Sequence, residues 1–284
     1  MIGFNSLGRK GRLGNQMFQY AALRGLAAKI STSFCIPNFK DPIYTIGGDP
    51  IKSELFENFN LKVKILLMNE NYVPILNEGH YHFNKELFDN CPDNIILEGY
   101  FQSEKYFKHI ENDIKKDFSF KEEILKPCKK IISTTESPIA LHVRRGDYLK
   151  FQDQHPLCSI SYYQSALEHF DSKRNVIVFS DDYKWCSETS IFKDRRFILA
   201  NSYPAVNELC LMTLCNDFII ANSSYSWWGA WLSSQPKKKV ICPEPWFGKS
   251  PLKKNHDTKD LLPNNWIKLN VASSKLSEIK IPKF

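Results

Sequence analysis

Arg144 and Arg145 leave the apolar run PIALHV (138–143) with no spacer, and Gly146 and Asp147 follow them. A guanidinium stays charged at physiological pH and presents its donors as a flat fork. Two of them at the end of a buried segment cost desolvation unless anions meet them. A diphosphate fits that demand through charge-assisted and bidentate bonds. An internal salt bridge to Asp147, Asp181 or Asp182 is the alternative that these residues leave open. Asp181, in the triplet SDD (180–182), can accept from ribose hydroxyls or a base edge, while Asp at such a position also caps helices. The run NSSYS (222–226) offers Ser223, Ser224 and Ser226 at a helix start, where backbone N–H groups favour phosphate. Asp147, Asp153 and His155 are the nearest candidates for a general base. His142 lies inside the apolar run, where a hydrogen-bonded core histidine is the plain reading. Arg145, Gly146 and Asp147 also spell an adhesion tripeptide, but such a tag needs an exposed loop tip in an exported chain, and this one abuts a core segment.

The elements that space these groups alternate. Apolar runs at 138–143, 175–180, 196–200, 217–223 and 238–245 read as strands, and amphipathic stretches at 161–170, 183–190, 205–215 and 226–234 read as helices. Such alternation means right-handed βαβ units and a parallel sheet covered on both faces, a Rossmann-like α/β domain. Ligands of open parallel sheets bind beyond the carboxyl ends of the strands. The polar clusters fall at those ends. Trp227, Trp228 and Trp231, at near-helical spacing, read as core.

The first half is less regular. A short apolar MIGF precedes GRKGRLGNQ, whose glycines Gly8, Gly11 and Gly14 fall as GxxGxxG, neither the dinucleotide fingerprint nor a Walker loop. The turn either serves structure alone or aims backbone N–H groups at an anion or a sugar. A helix is expected over 15–30 with Asn15 as N-cap, a strand over 94–101 and one helix over 103–118. Residues 31–93 give no topology. The polar STTESP (133–138) reads as a linker between an N-terminal domain (1–132) and a C-terminal one (138–270), followed by a tail (271–284).

A formal net charge of +7 over 284 residues suits an anionic ligand or an acidic membrane surface. The densest basic clusters, Lys237–Lys239 and Lys253 with Lys254, lack the interleaved aromatics of a nucleic-acid surface, so no nucleic acid is expected. Eight cysteines without a CxxC pair and seven histidines without an HExxH pattern suggest reduced thiols and no metal site. No apolar run reaches the roughly 18 residues of a membrane span, and the N-terminus lacks a signal-peptide pattern, so a cytoplasmic protein is expected.

GRLGNQMFQYA, HVRRGDY, FSDDYKW and NELCLMTLCNDFIIANSSYSWWGAWL resemble, in that order, the motifs of the α-1,2-fucosyltransferases of glycosyltransferase family 11. The resemblance covers about residues 8 to 246. It implies a GT-B fold, two Rossmann-like domains facing across a cleft, with GDP-fucose held by the C-terminal one. It also implies inverting transfer of L-fucose from GDP-β-L-fucose to the 2-hydroxyl of a terminal β-galactoside, with no metal or other cofactor. Arg144 would meet the β-phosphate with Arg145 close by, His142 the guanine or its ribose, Asp181 the nucleoside, and Ser224 and Ser226 the phosphates. Arg12, Asn15 and Gln16 would enter the cleft from the first domain. Asp147 is the expected base, and Arg144 and Asn15 join it in catalysis. The short region before the first motif resembles the bacterial-type members, cytoplasmic or peripheral to the inner membrane. This sequence departs from the family's usual GGLGNQ with a more basic lead, FNSLGRKGRLGNQ. A nicotinamide-dependent oxidoreductase would share the alternation, but its GxGxxG fingerprint is absent.

Overall fold

The computed structural model describes residues 1–44, 50–201, 203, 205–250 and 256–271. Lys253, Lys254 and, beyond Val271, the expected tail lie outside them. The chain divides into two compact units: Met1–Leu125 with His256–Asn264, and the described residues of Lys126–Asn255 and Asn265–Phe284. The division falls inside the helix Glu122–Ile132, not in the 133–138 stretch.

The first unit holds β1 (Ile2–Gly3), β2 (Phe34–Ile36), a hairpin of β3 (Ile43–Tyr44) and β4 (Pro50–Ile51), β5 (Lys64–Ile65), β6 (Ile75–Asn77) and β7 (Ile96–Glu98). Apart from the hairpin they form one parallel sheet in the order β5-β2-β1-β7-β6. Its helices are α1 (Leu13–Lys29), α2 (Leu55–Asn58), α3 (Lys85–Asp89) and α4 (Glu111–Asp117). From Leu13 to Ala27, α1 is buried except at Asn15 and Arg24, so it is a core helix with no solvent face of any width. It starts two residues earlier than expected. Arg12 occupies the cap position, and Asn15 lies inside the first turn.

The helix expected over 103–118 is broken into two 3-10 turns, Glu104–Tyr106 and Lys108–Ile110, before α4 begins. Tyr106 and Phe107 are both fully buried. Phe107 leaves helical geometry at φ −136°, which separates the two turns. The returning segment His256–Asn264 docks on this region. Asp260 accepts from the Phe83 N–H (3.2 Å), its carbonyl accepts from the Ser103 hydroxyl (2.7 Å), and its carboxylate pairs with Lys105.

The chain enters the second unit through α5 (Glu122–Ile132) and continues as β8 (Ile139–Val143), α6 (Ile160–Leu167), β9 (Val176–Ser180), α7 (Tyr183–Glu188), β10 (Phe197–Leu199), α8 (Ala205–Leu214), β11 (Asp217–Ile219), α9 (Ser224–Leu232), β12 (Val240–Glu244) and β13 (Ile267–Asn270). All pairings are parallel, in the order β10-β9-β8-β11-β12-β13. β8 and β9 are buried at every position, as the unbroken apolar runs require. β13 was not expected. It is an edge strand whose residues alternate between half-buried and exposed, so it carries no apolar run. The sheet winds outward in both directions from β8 and β11, which makes the gap between their carboxyl ends the topological switch point. Trp227 and Trp228 are fully buried and Trp231 nearly so, packing ring on ring in the core.

Candidate functional site

In the second unit β9, β8 and β11 lie side by side and run the same way, so the loops that follow them share one end of the sheet. Those loops carry Arg144 to Asp147, Asp181 with Asp182, and Ser223 with Ser224. The phenol of Tyr148 stitches two of them together by donating to the Asn222 carbonyl (2.9 Å). Asn222 is itself a buried brace, its amide donating to the carbonyls of Pro156 and Trp246, both at 3.0 Å.

Both arginines are paired with protein carboxylates. Arg144 bonds Asp147 through one terminal nitrogen and Asp181 through the other (2.6 Å), and Arg145 Nε bonds Asp182 (3.0 Å). Asp181 also accepts from the Arg145 backbone N–H (2.8 Å), and Asp182 caps α7 by accepting from the Trp185 N–H (3.1 Å). Of the two readings the sequence left open, the internal ion pairs are therefore present in this state. They orient the guanidiniums, whose planes also pack on aromatic rings, Arg144 over Tyr148 at 5.0 Å and Arg145 over Trp185 at 4.2 Å. Two cations face three carboxylates here, and each guanidinium carries N–H donors beyond those that the ion pairs use. Gly146 makes room for the arrangement. A Cβ at that position would stand 2.4 Å from Asp181 Oδ2.

His142 stands in β8, two residues before Arg144. It is buried, and burial first and the Arg144 charge second push its pKa down to about 3, so the imidazole is neutral at physiological pH. Its Nδ1 has no partner among the described residues. A neutral ring with one unanswered nitrogen beside Arg144 can accept from, or donate to, a ligand.

Around α9 the three serines separate. Ser223 occupies the cap position without using its hydroxyl as a cap, and Ser224 is half-buried in the first turn. Ser226 departs from the sequence reading. It is fully buried, and its hydroxyl turns back on the carbonyls of Ala221 (3.4 Å) and Ser223 (3.3 Å), so its role is to shape the turn.

The sequence reading passed over Glu208. It lies in the first turn of α8 and accepts from the Tyr183 phenol at 2.8 Å. Burial first pushes its carboxyl up to about 7, against the pull of the Tyr183 bond and with the help of the Asp181 charge. An acidic residue opening an otherwise apolar helix, NELCLMTLC, was the available signal.

In the first unit the glycine turn delivers Arg12, Asn15 and Gln16 to the start of α1. Gln16 also departs from the reading. It is fully buried, its amide donates to the carbonyls of Gly11 (3.1 Å) and Lys52 (2.7 Å), and its oxygen accepts from the Glu54 N–H (2.9 Å). It locks the turn to the segment before α2. Gly11 has φ +87°, and a Cβ there would stand 2.3 Å from Asn15 Nδ2. Arg12 is exposed at the cap, and Asn15 is half-buried with Oδ1 accepting from Gln102 Nε2 (2.8 Å).

Comparison with known proteins places this geometry in context. A model described as glycosyl transferase family 11 matches residues 1–270. The O-antigen biosynthesis glycosyltransferase WbnK of Escherichia coli is 28% identical, over 91% of this chain and 98% of the relative. The alpha-1,2-colitosyltransferase of Escherichia coli is 30% identical, over 91% and 96%. Galactoside 2-alpha-L-fucosyltransferase SEC1 of Bos taurus is 26% identical, over 81% of this chain and 65% of the relative. Among solved structures, POFUT1 in complex with GDP superimposes with a TM-score of 0.53 at 12% identity, covering 85% of this chain and 97% of that one. The fucosyltransferase NodZ from Bradyrhizobium gives 0.51 at 14%, covering 80% and 91%. The likeness to these structures is one of fold, two Rossmann-like α/β units of GT-B type.

Proposed function

The chain belongs to glycosyl transferase family 11, and from that premise we propose that it transfers L-fucose, with inversion, from GDP-β-L-fucose to the 2-hydroxyl of a terminal β-galactoside. The observation that carries the reading is the paired arginine loop at the switch point of the second sheet, beside the α9 N-terminus and the neutral His142. Nucleotide-sized ligands bind at such a crevice. On this reading the diphosphate displaces Asp147 from Arg144, and Arg144, Arg145, Ser223 and Ser224 hold its oxygens. Arg144 then stabilises the charge that builds on the departing GDP. Asp147, released from its ion pair, takes the proton from the attacking hydroxyl. Asp181 and His142 meet the nucleoside. The arginines supply the cationic charge that a metal would otherwise supply, so transfer proceeds without one.

A second donor competes. A relative that is 30% identical is named for colitose, the 3-deoxy counterpart of fucose. Incubating the protein with each GDP-sugar and with lactose, N-acetyllactosamine or lacto-N-biose, in the presence of a chelator, tests both readings. An α-1,2-fucosylated product that persists with the chelator is expected. Transfer from GDP-colitose alone would replace the donor, and loss of transfer on chelation would overturn the metal-free mechanism. Asp147→Asn should lower kcat; an unchanged rate would move proton removal elsewhere.

A further inference from the structure

The amino-terminal ends of the strands in the second sheet lie at the opposite end from the arginine loop, and the turns that lead into three of them are basic. Lys173 and Arg174 precede β9, Lys193, Arg195 and Arg196 precede β10, and residues 237–239, all lysine, precede β12. Against these eight cations the same turns and the start of β11 set three carboxylates, Asp171, Asp194 and Asp217, an excess of five where the whole chain carries +7. The turns are knitted into one surface. Arg174 Nε donates to the Ser137 carbonyl (2.9 Å) and its guanidinium pairs with Asp217 (2.6 Å), which joins the entries to β8, β9 and β11. Asp217 also accepts from the Lys239 N–H (2.6 Å), the Lys239 ammonium donates to the His169 carbonyl (2.8 Å), and Arg196 donates to the Ser172 carbonyl (2.9 Å). With neighbouring strands about 4.8 Å apart, β10 to β12 spread the charges over about 19 Å.

Lys173, Lys193, Arg195 and Lys237 are exposed and have no ion pair among the described residues. A small anion is held by donors that converge on it, whereas these cations stand on separate turns. They match a partner whose negative charge is itself spread over a surface. Phe170 carries Arg174 and Lys239 at 5.7 and 5.2 Å from its ring centre, and Phe197 carries Arg196 at 4.8 Å, so neither ring is open to stack a nucleic-acid base. We propose that the amino-end face of the second sheet is a docking surface for a bilayer of anionic lipid, whose headgroup phosphates it meets with these lysines and arginines. The inference does not depend on which sugar is transferred. Docked in this way, the carboxyl-end loops of the same sheet point away from the lipid and stay open to a water-soluble ligand.

Sedimentation with vesicles tests it. The native chain should pellet at low salt with vesicles of equal parts phosphatidylcholine and phosphatidylglycerol, stay in solution with phosphatidylcholine alone, and be released by high salt. Lys173→Glu, Arg195→Glu and Lys237→Glu combined should weaken vesicle binding by at least about a hundred-fold, and each alone by about five-fold, with the melting temperature unchanged. Lys62→Glu, Lys64→Glu and Lys116→Glu combined, all exposed positions of the first unit, change the net charge equally and should leave binding close to native. A native chain that does not pellet, or equal losses in the two triple variants, overturns the inference. Tighter binding of the native chain to a DNA duplex than to the vesicles, lost on reversing Lys173, Arg195 and Lys237, would overturn it by giving the face to nucleic acid.

Discussion

Arg144 bridges Asp147 and Asp181 with different nitrogens of one guanidinium. A planar fork holds two carboxylates in fixed directions through separate nitrogens, which the point charge of a lysine ammonium does not. Arg144→Ala should therefore lower kcat by about a hundred- to a thousand-fold, and Arg144→Lys should recover little of it, as steady-state transfer rates will show. Near-normal turnover in the lysine variant would mean that charge alone suffices. The sequence made the arginines, the aspartates and the serines legible as one cluster, because strand ends place polar residues together. It could not reveal which carboxylate holds which arginine, since Arg144 and Asp181 meet only through the β8–β9 register. Nor could it show that Gln16 and Ser226 turn inward, because an amide or a hydroxyl looks the same in sequence whether it bonds substrate or backbone.

At the scale of elements, the loop after β8 depends on a residue without a side chain. Gly146→Ala would push a Cβ to 2.4 Å from the Asp181 carboxylate, which the Arg145 N–H and Arg144 hold in place. The loop must shift, so kcat should drop at least ten-fold while the melting temperature changes little. A variant that melts several degrees lower at full activity would show that strain spreads into β8 instead. The strands and helices of the second unit were readable because a parallel sheet covered on both faces leaves long apolar runs. In the first unit β5 is two residues long, too short to show a period, and β13 at the far edge of the second sheet alternates too gently to stand out. The break before α4 was hidden because Tyr106 and Phe107 both belong on the apolar face of a straight-helix reading.

For the molecule as a whole, buried carboxyls set how stability responds to pH. Burial pushes Glu78 up to about 7 from an ordinary 4.5, in part offset by the Phe101 and Tyr100 N–H groups; Tyr106, Tyr81 and Lys10 are the other titratable groups around it. Below 4.5 it is protonated folded or unfolded. Between 4.5 and 7 only the unfolded chain releases the proton, so each unit of rising pH costs the fold up to about 1.4 kcal/mol, and above 7 the penalty is constant. Glu78→Gln removes the penalty. Its stability relative to the native chain should rise between pH 5 and pH 7.5, measured as urea midpoints, and an equal gap at both values would place the titration elsewhere. The path of the chain has a practical side as well. His256–Asn264 belongs to the first unit although it follows most of the second, so the two units cannot be separated by a single cut. A fragment ending at Leu125 would lack Asp260, the partner of Phe83, Ser103 and Lys105, and the His256 ring that stacks on Tyr81 at 3.8 Å. A gene divided there encodes one half missing a stave and another carrying it unused, and only a fragment with residues 256–264 grafted back on is suited to independent expression.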